Sequence, residues 1–185
     1  MQRLVLSGAL LVGACGVADD RPANLEYITN AILAPTCAMA QCHSAFKRAE
    51  GDQFDTVEAT RLSIVSNNLV DALAGPLDPT QTFLIQSVTV GTRNREGETI
   101  RMPYDAPMPD ADVQLIIRWI SEGAKGAQCI ANAEGNGCGR FIDPNTRQSK
   151  TRVVKCVDGV VGDTVQDCTG NQICSFSVGN GKCSG

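Results

Sequence analysis

The chain has 185 residues, 16 Lys/Arg against 20 Asp/Glu, a single His and nine Cys, for a formal net charge of −4. The mild acidity and the lack of a basic stripe with interleaved aromatics argue against nucleic acid as a partner. One histidine and scattered carboxylates leave no catalytic dyad or triad, so a hydrolase is not supported.

The chain opens with Met1-Gln2-Arg3 and an apolar run over 4–12. That run is too short for a membrane span, which takes about 20 residues, and reads as a secretory signal. It ends Val12-Gly13-Ala14-Cys15, which resembles a bacterial lipobox and implies cleavage after residue 14 and lipidation of Cys15. Residues 1–14 are therefore expected to be a lipoprotein signal peptide and 15–23 a tether. The expected location is extracytoplasmic, anchored to a membrane through lipidated Cys15.

The next element is a helix. Asn24 is a suitable N-cap, Leu25, Ile28 and Ile32 share one face, and Pro35 is expected to end the helix just before Cys37. Cys37-Ala38-Met39-Ala40-Gln41-Cys42-His43 follows and holds the only histidine. Two thiols followed at once by an imidazole are what covalent haem needs, because each sulfur can add to a vinyl group while the adjacent His reaches the iron. The usual gap between the cysteines is two residues, and here it is four, so the extra residues are expected to loop outward. Met39 is expected to be a loop residue.

Apolar residues at mixed spacing predict a helix over 57–73. Asp78-Pro79 pairs an N-cap with a first-turn proline ahead of Phe83, Leu84 and Val88, predicting a short second helix. The strongest pattern is 110–122: Asp110 is placed as the cap, Val113, Ile116, Ile117 and Ile120 form a stripe, and Gly123 sits where a left-handed residue ends a helix. Leu115 and Trp119 widen that stripe, and Trp119 is expected in the core.

Composition changes near Gly126. Residues 15–124 carry eight Lys/Arg against fifteen Asp/Glu, whereas 125–185 carry seven against five. The six remaining cysteines, Cys129, Cys138, Cys156, Cys168, Cys174 and Cys183, all lie in the last third. Outside the cytoplasm they read as a disulfide framework, with fifteen pairings open. Zinc is disfavoured, since paired thiolate knuckles and a nearby His are lacking. Strand cues are sparse: Val153-Val154 and Val160-Val161 around Asp158-Gly159, with Asn180-Gly181 as a further turn.

Several stretches in this order resemble a planctomycete-type cytochrome c: Ile32-Leu33-Ala34-Pro35-Thr36-Cys37, Cys42-His43-Ser44, Leu77-Asp78-Pro79 with Phe83-Leu84, Arg101-Met102-Pro103, and Trp119-Ile120-Ser121-Glu122-Gly123-Ala124. The resemblance spans about residues 30–124. It implies a small helical cytochrome c-like domain, placed at 24–124, holding haem c. Cys37 and Cys42 would be the thioethers, His43 the proximal iron ligand and Met102 the distal one, with Met108, which also precedes a proline, as the alternative. A six-coordinate iron has no open site for oxygen chemistry, and a peroxidase would want a distal base. The implied role is thus an electron carrier serving redox proteins, not a catalyst. The expected fold class is mainly α, followed over 125–185 by a small disulfide-rich loop and β-hairpin module. The competing reading is a haem-free, disulfide-rich surface lipoprotein acting as a binding or structural module, with Cys37 and Cys42 paired to each other and His43 on the surface.

Overall fold

In the computed structural model the described residues are 19–70, 78–94, 97–176 and 181–185. The expected signal segment, residues 1–14, and Cys15 lie outside them, as do Leu73, Leu77 and Asn180.

The first helix, α1, is built of α-helical Leu25–Ile28, a π turn Thr29–Leu33 and α-helical Ala34–Cys37. Asn24 caps it, its side-chain oxygen accepting from the Tyr27 N–H at 2.8 Å. Pro35 does not stop it. In the π turn the ladder slips to i→i+5, as in the Ala34 N–H donating to the Thr29 carbonyl, so the missing proline donor falls in a turn whose bonding has already shifted. The helix therefore carries Cys37 as its last residue.

Helix α2, Val57–Ser66, is capped by Thr56, whose hydroxyl accepts from the Ala59 N–H. It ends before the sequence pattern suggested, with Asn68 in a left-handed conformation just beyond. Asp78 caps a 3-10 turn, Pro79–Gln81, which leads into α3, Phe83–Thr89. A two-residue antiparallel pair, β1 (Thr92–Arg93) with β2 (Thr99–Ile100), precedes the last helix, α4, Asp110–Ser121. Here Pro109, not Asp110, occupies the cap position. Asp110 and Asp112 lie in the first turn, where carboxylates favour the positive end of the helix dipole.

These helices enclose one buried cluster. Ile28, Leu33, Ile64, Ile116 and Trp119 are wholly excluded from solvent, with Ile85 and Leu115 close behind. Burial of each such side chain contributes about 1.5–3 kcal/mol. The Trp119 indole N–H donates to the Lys125 carbonyl at 3.0 Å, so the ring is buried without a stranded donor. Residues from Asp19 on are fastened to α4: Arg21 pairs with Asp19 and Asp112, and the Arg118 guanidinium donates to the carbonyls of Asp19 and Arg21.

Beyond Gly126 the chain is β. Strands β3 (Asn136–Ile142), β4 (Ser149–Val157) and β5 (Val160–Asp167) form an antiparallel meander in that order, and β6 (Ile173–Cys174) pairs with β7 (Cys183–Ser184). The disulfides are Cys129–Cys156, Cys138–Cys174 and Cys168–Cys183. The second buried cluster is small and mostly sulfur: Cys138, Cys168 and Cys174 with Val153.

The mainly α expectation is overturned. Helix accounts for 31 % of the chain and strand for 20 % in three small sheets, so helix and sheet share the fold. The reason lies in β4 and β5, nine and eight residues long. Every described position of β5 is exposed or half-buried, so the strand has no alternating apolar face to reveal it.

The helical and β regions meet at Arg61 of α2. Its Nε donates to the Gly126 carbonyl at 2.7 Å and its Nη2 to the Asp158 carbonyl at 3.3 Å, while Nη1 pairs with Glu58. The Asp158-Gly159 turn between β4 and β5 thus lies against the helices. Gly159, at φ +74°, has no room for a side chain there: a Cβ would fall 2.1 Å from the Gly126 carbonyl oxygen.

Candidate functional site

The site is the turn that follows α1. The Cys42 N–H donates to the Met39 carbonyl at 2.8 Å, and the His43 N–H reaches back to the Cys37 carbonyl at 3.1 Å. The four residues between the cysteines arch outward, with Met39, Ala40 and Gln41 exposed. The arch thereby returns Cys42 and His43 to the end of the helix. Cys37 is buried and Cys42 exposed, and these are the described cysteines that carry free thiols. Burial pushes the Cys37 thiol from 9.0 up to about 11, and the neighbouring Cys42 adds to the shift. A thiol held in that state is a poor nucleophile for disulfide exchange.

The imidazole is held on two sides. His43 Nδ1 lies 3.0 Å from the Ala49 carbonyl oxygen, a geometry that suits an Nδ1–H donor and leaves Nε2 as the lone-pair nitrogen. Nε2 has no hydrogen-bond partner among the described residues. The ring of buried Phe54 stands 5.1 Å away, tilted by 54°, and the Phe54 N–H donates to the His43 carbonyl at 2.8 Å. The loop is closed by the Ala49 N–H on the Cys42 carbonyl at 3.0 Å, and by the Asp55 carboxylate, which accepts from the Ala45 N–H. A backbone carbonyl on one imidazole nitrogen with the other left open is the usual support for a metal-ligating histidine.

Asp52 lies in the same region and is 7 % exposed. Burial raises its carboxyl above the usual range, opposed by the Asn67 amide, which donates to it at 2.7 Å.

The two candidate sulfurs sit differently. Met108 is 4 % exposed and belongs to the same buried cluster as Cys37. Met102 is half-buried and packs against that cluster, its N–H donating to the Ser87 carbonyl at 2.8 Å. The fold thus brings Cys37, Cys42 and His43 together in one turn and puts both methionines on the core that Cys37 enters.

The turn supplies two unbridged thiols and an imidazole with an open Nε2, and the core that Cys37 enters also carries two thioether sulfurs. Among the described residues no group of three or more His, Cys, Asp or Glu side chains is placed to hold a metal ion. Sequence reasoning missed the Ala49 carbonyl and Asp52. The first is a backbone acceptor, which leaves no trace in residue type, and the second is an ordinary loop aspartate until the fold buries it. No family model matches this chain, and no curated protein or solved structure matches it either.

Proposed function

We propose that the chain is an extracytoplasmic, lipid-anchored c-type cytochrome that carries single electrons between redox proteins. The observation that supports this most is the division of the cysteines: all six in the β region are bridged, whereas the two beside the sole histidine are not. In a compartment that oxidises thiols, a free pair at the end of a helix calls for another use. Addition of each S–H across a vinyl double bond gives a thioether with no oxidant consumed, and the Cys37 and Cys42 sulfurs are available for it.

Bound haem c would supply a one-electron iron centre whose potential is set by its axial ligands and burial. His43 would offer Nε2 to the iron, with the Ala49 carbonyl fixing its tautomer. Met102 would offer a soft neutral sulfur, which favours the ferrous state, from the segment between α3 and α4. The buried side chains around Cys37 exclude water from that side of the site, and the exposed Cys42 turn leaves an edge open to a partner. Attachment to a membrane is proposed through Cys15. Among the described residues no helix is long and apolar enough to cross one.

Each methionine should be changed to alanine in protein made with the cytochrome c maturation machinery, and the ferric form examined for the weak far-red sulfur-to-iron band. Loss of the band in Met102→Ala alone is expected. Its loss in Met108→Ala, with survival in Met102→Ala, would transfer the role to Met108.

One observation favours the haem-free binding module. The β region exposes Val157, Val165 and Ile173 at 67 %, 48 % and 60 %, apolar area that a partner could cover. Under that reading the purified protein would be colourless and its far-red region featureless.

A further inference from the structure

A cavity of about 620 Å³ opens between α3 and α4, and no residue of the Cys-His turn lines it. Its floor is apolar, made by Ile85, Val88, Met108, Val113 and Ile117. Among the described residues one cation lines it, half-buried Arg101, whose Nη1 has no hydrogen-bond partner. This is unusual within the helical region, where the other half-buried guanidinium groups are satisfied. Arg21 bonds Asp19, Asp112 and the Ala111 carbonyl; Arg61 bonds Glu58 and two carbonyls; Arg118 bonds two carbonyls. Leaving a guanidinium donor dry and unpaired costs the fold its full desolvation penalty, and such groups call for a ligand or bound water. Asp110 also lines the cavity but is exposed at its rim and forms no ion pair with Arg101.

We infer that this cavity binds a small amphipathic carboxylate, with its anionic head on Arg101 and its apolar body on the floor between α3 and α4. A planar guanidinium matches a carboxylate and can engage both oxygens, whereas a neutral head group would leave the charge unmatched. The volume falls within the range of small-molecule sites, which are largely apolar with a few placed polar groups. The inference stands apart from the haem reading, because Cys37, Cys42, His43 and Met102 do not line the cavity. Met108, the alternative sulfur, is the one shared residue.

The test uses the full purified chain, with octanoate as the probe and octanamide as its neutral counterpart, followed by methyl NMR. Octanoate should shift the methyls of Ile85, Val88, Val113 and Ile117 saturably and bind at least roughly tenfold more tightly than octanamide. Arg101→Gln should abolish that preference while leaving octanamide binding unchanged. Gln114→Trp, at an exposed position of the rim that does not depend on the Arg101 region folding normally, should block both probes. Absence of saturable shifts, equal binding of the two probes, or octanoate binding that survives Gln114→Trp would overturn the inference.

Discussion

The two regions of this molecule hold themselves together by different means. The helical region buries a cluster that runs from Leu25 to Ala127 around Trp119 and has no disulfide among its described cysteines. The β region has a cluster of four buried residues, three of them bridged cysteines. Where the chain has enough large apolar side chains to form a core, its described thiols are unbridged. Where it does not, cross-links substitute for hydrophobic burial by restricting the unfolded chain. Cysteine is thus unbridged before Gly126 and cross-linked beyond it.

The contrast is broken most severely by attacking each region's own support. Trp119→Ala should destabilise the helical region by about 3–5 kcal/mol, since the ring is wholly buried and its loss leaves a large cavity. Peptide mapping should still find the three tail disulfides. Conversely, replacing Cys138 and Cys174 together with alanine should destabilise the β region by about 2–5 kcal/mol while denaturant melting of the helical signal stays near its original midpoint. Simultaneous loss of helix in that variant would show that the two clusters act as a single core.

A smaller effect is expected at the junction. Gly159→Ala puts a Cβ against the Gly126 carbonyl and Arg61 Nε and strains a left-handed residue, so the hairpin must move off the helices. A loss of about 2 kcal/mol, typical of a backbone conflict, should appear in the melting of the β region. If that transition persists at the original temperature, the close approach of Gly159 to Gly126 does not constrain the hairpin.

Smallest is the effect of Asp52. Its folded-state carboxyl is raised by burial, so between the ordinary carboxyl value and the raised one the folded state binds more protons than the unfolded. Stability should therefore fall as pH rises through that window, and the penalty persists at neutral pH. Asp52→Asn, which keeps an oxygen for the Asn67 amide, should flatten this slope and leave the protein at least as stable near neutrality. Urea titrations across the acidic range check it, and an unchanged slope would mean the carboxyl is not perturbed.

Much of the helical region was legible from residues alone. Asn24 as a cap, the stripe through Val113, Ile116 and Ile120, and Trp119 in the core follow from spacing and from the side chains a helix end needs. The end of α1 was not legible, because an i→i+5 turn that carries the chain past Pro35 has no periodic signature. The hairpin around Asp158-Gly159 was legible, but the extent of strand was not, for a related reason: Gly137 and Gly139 interrupt β3, and β5 is solvated on both faces, so neither has an alternating pattern. Disulfide partners depend on how strands are registered, so the six cysteines could be counted but not paired. At the site, Cys37, Cys42 and His43 stood out by type and adjacency. The Ala49 carbonyl and the unpaired state of Arg101 are products of tertiary structure.

Whether Cys37, Cys42 and His43 hold a covalent haem is decided by intact-mass measurement of the full chain made with the cytochrome c maturation machinery. A mass increase of one haem is expected, surviving boiling in denaturant, located by proteolysis on the peptide containing Cys37 and Cys42, and absent when both are alanine. A Cys37–Cys42 disulfide on an unmodified chain from the same cells would contradict it.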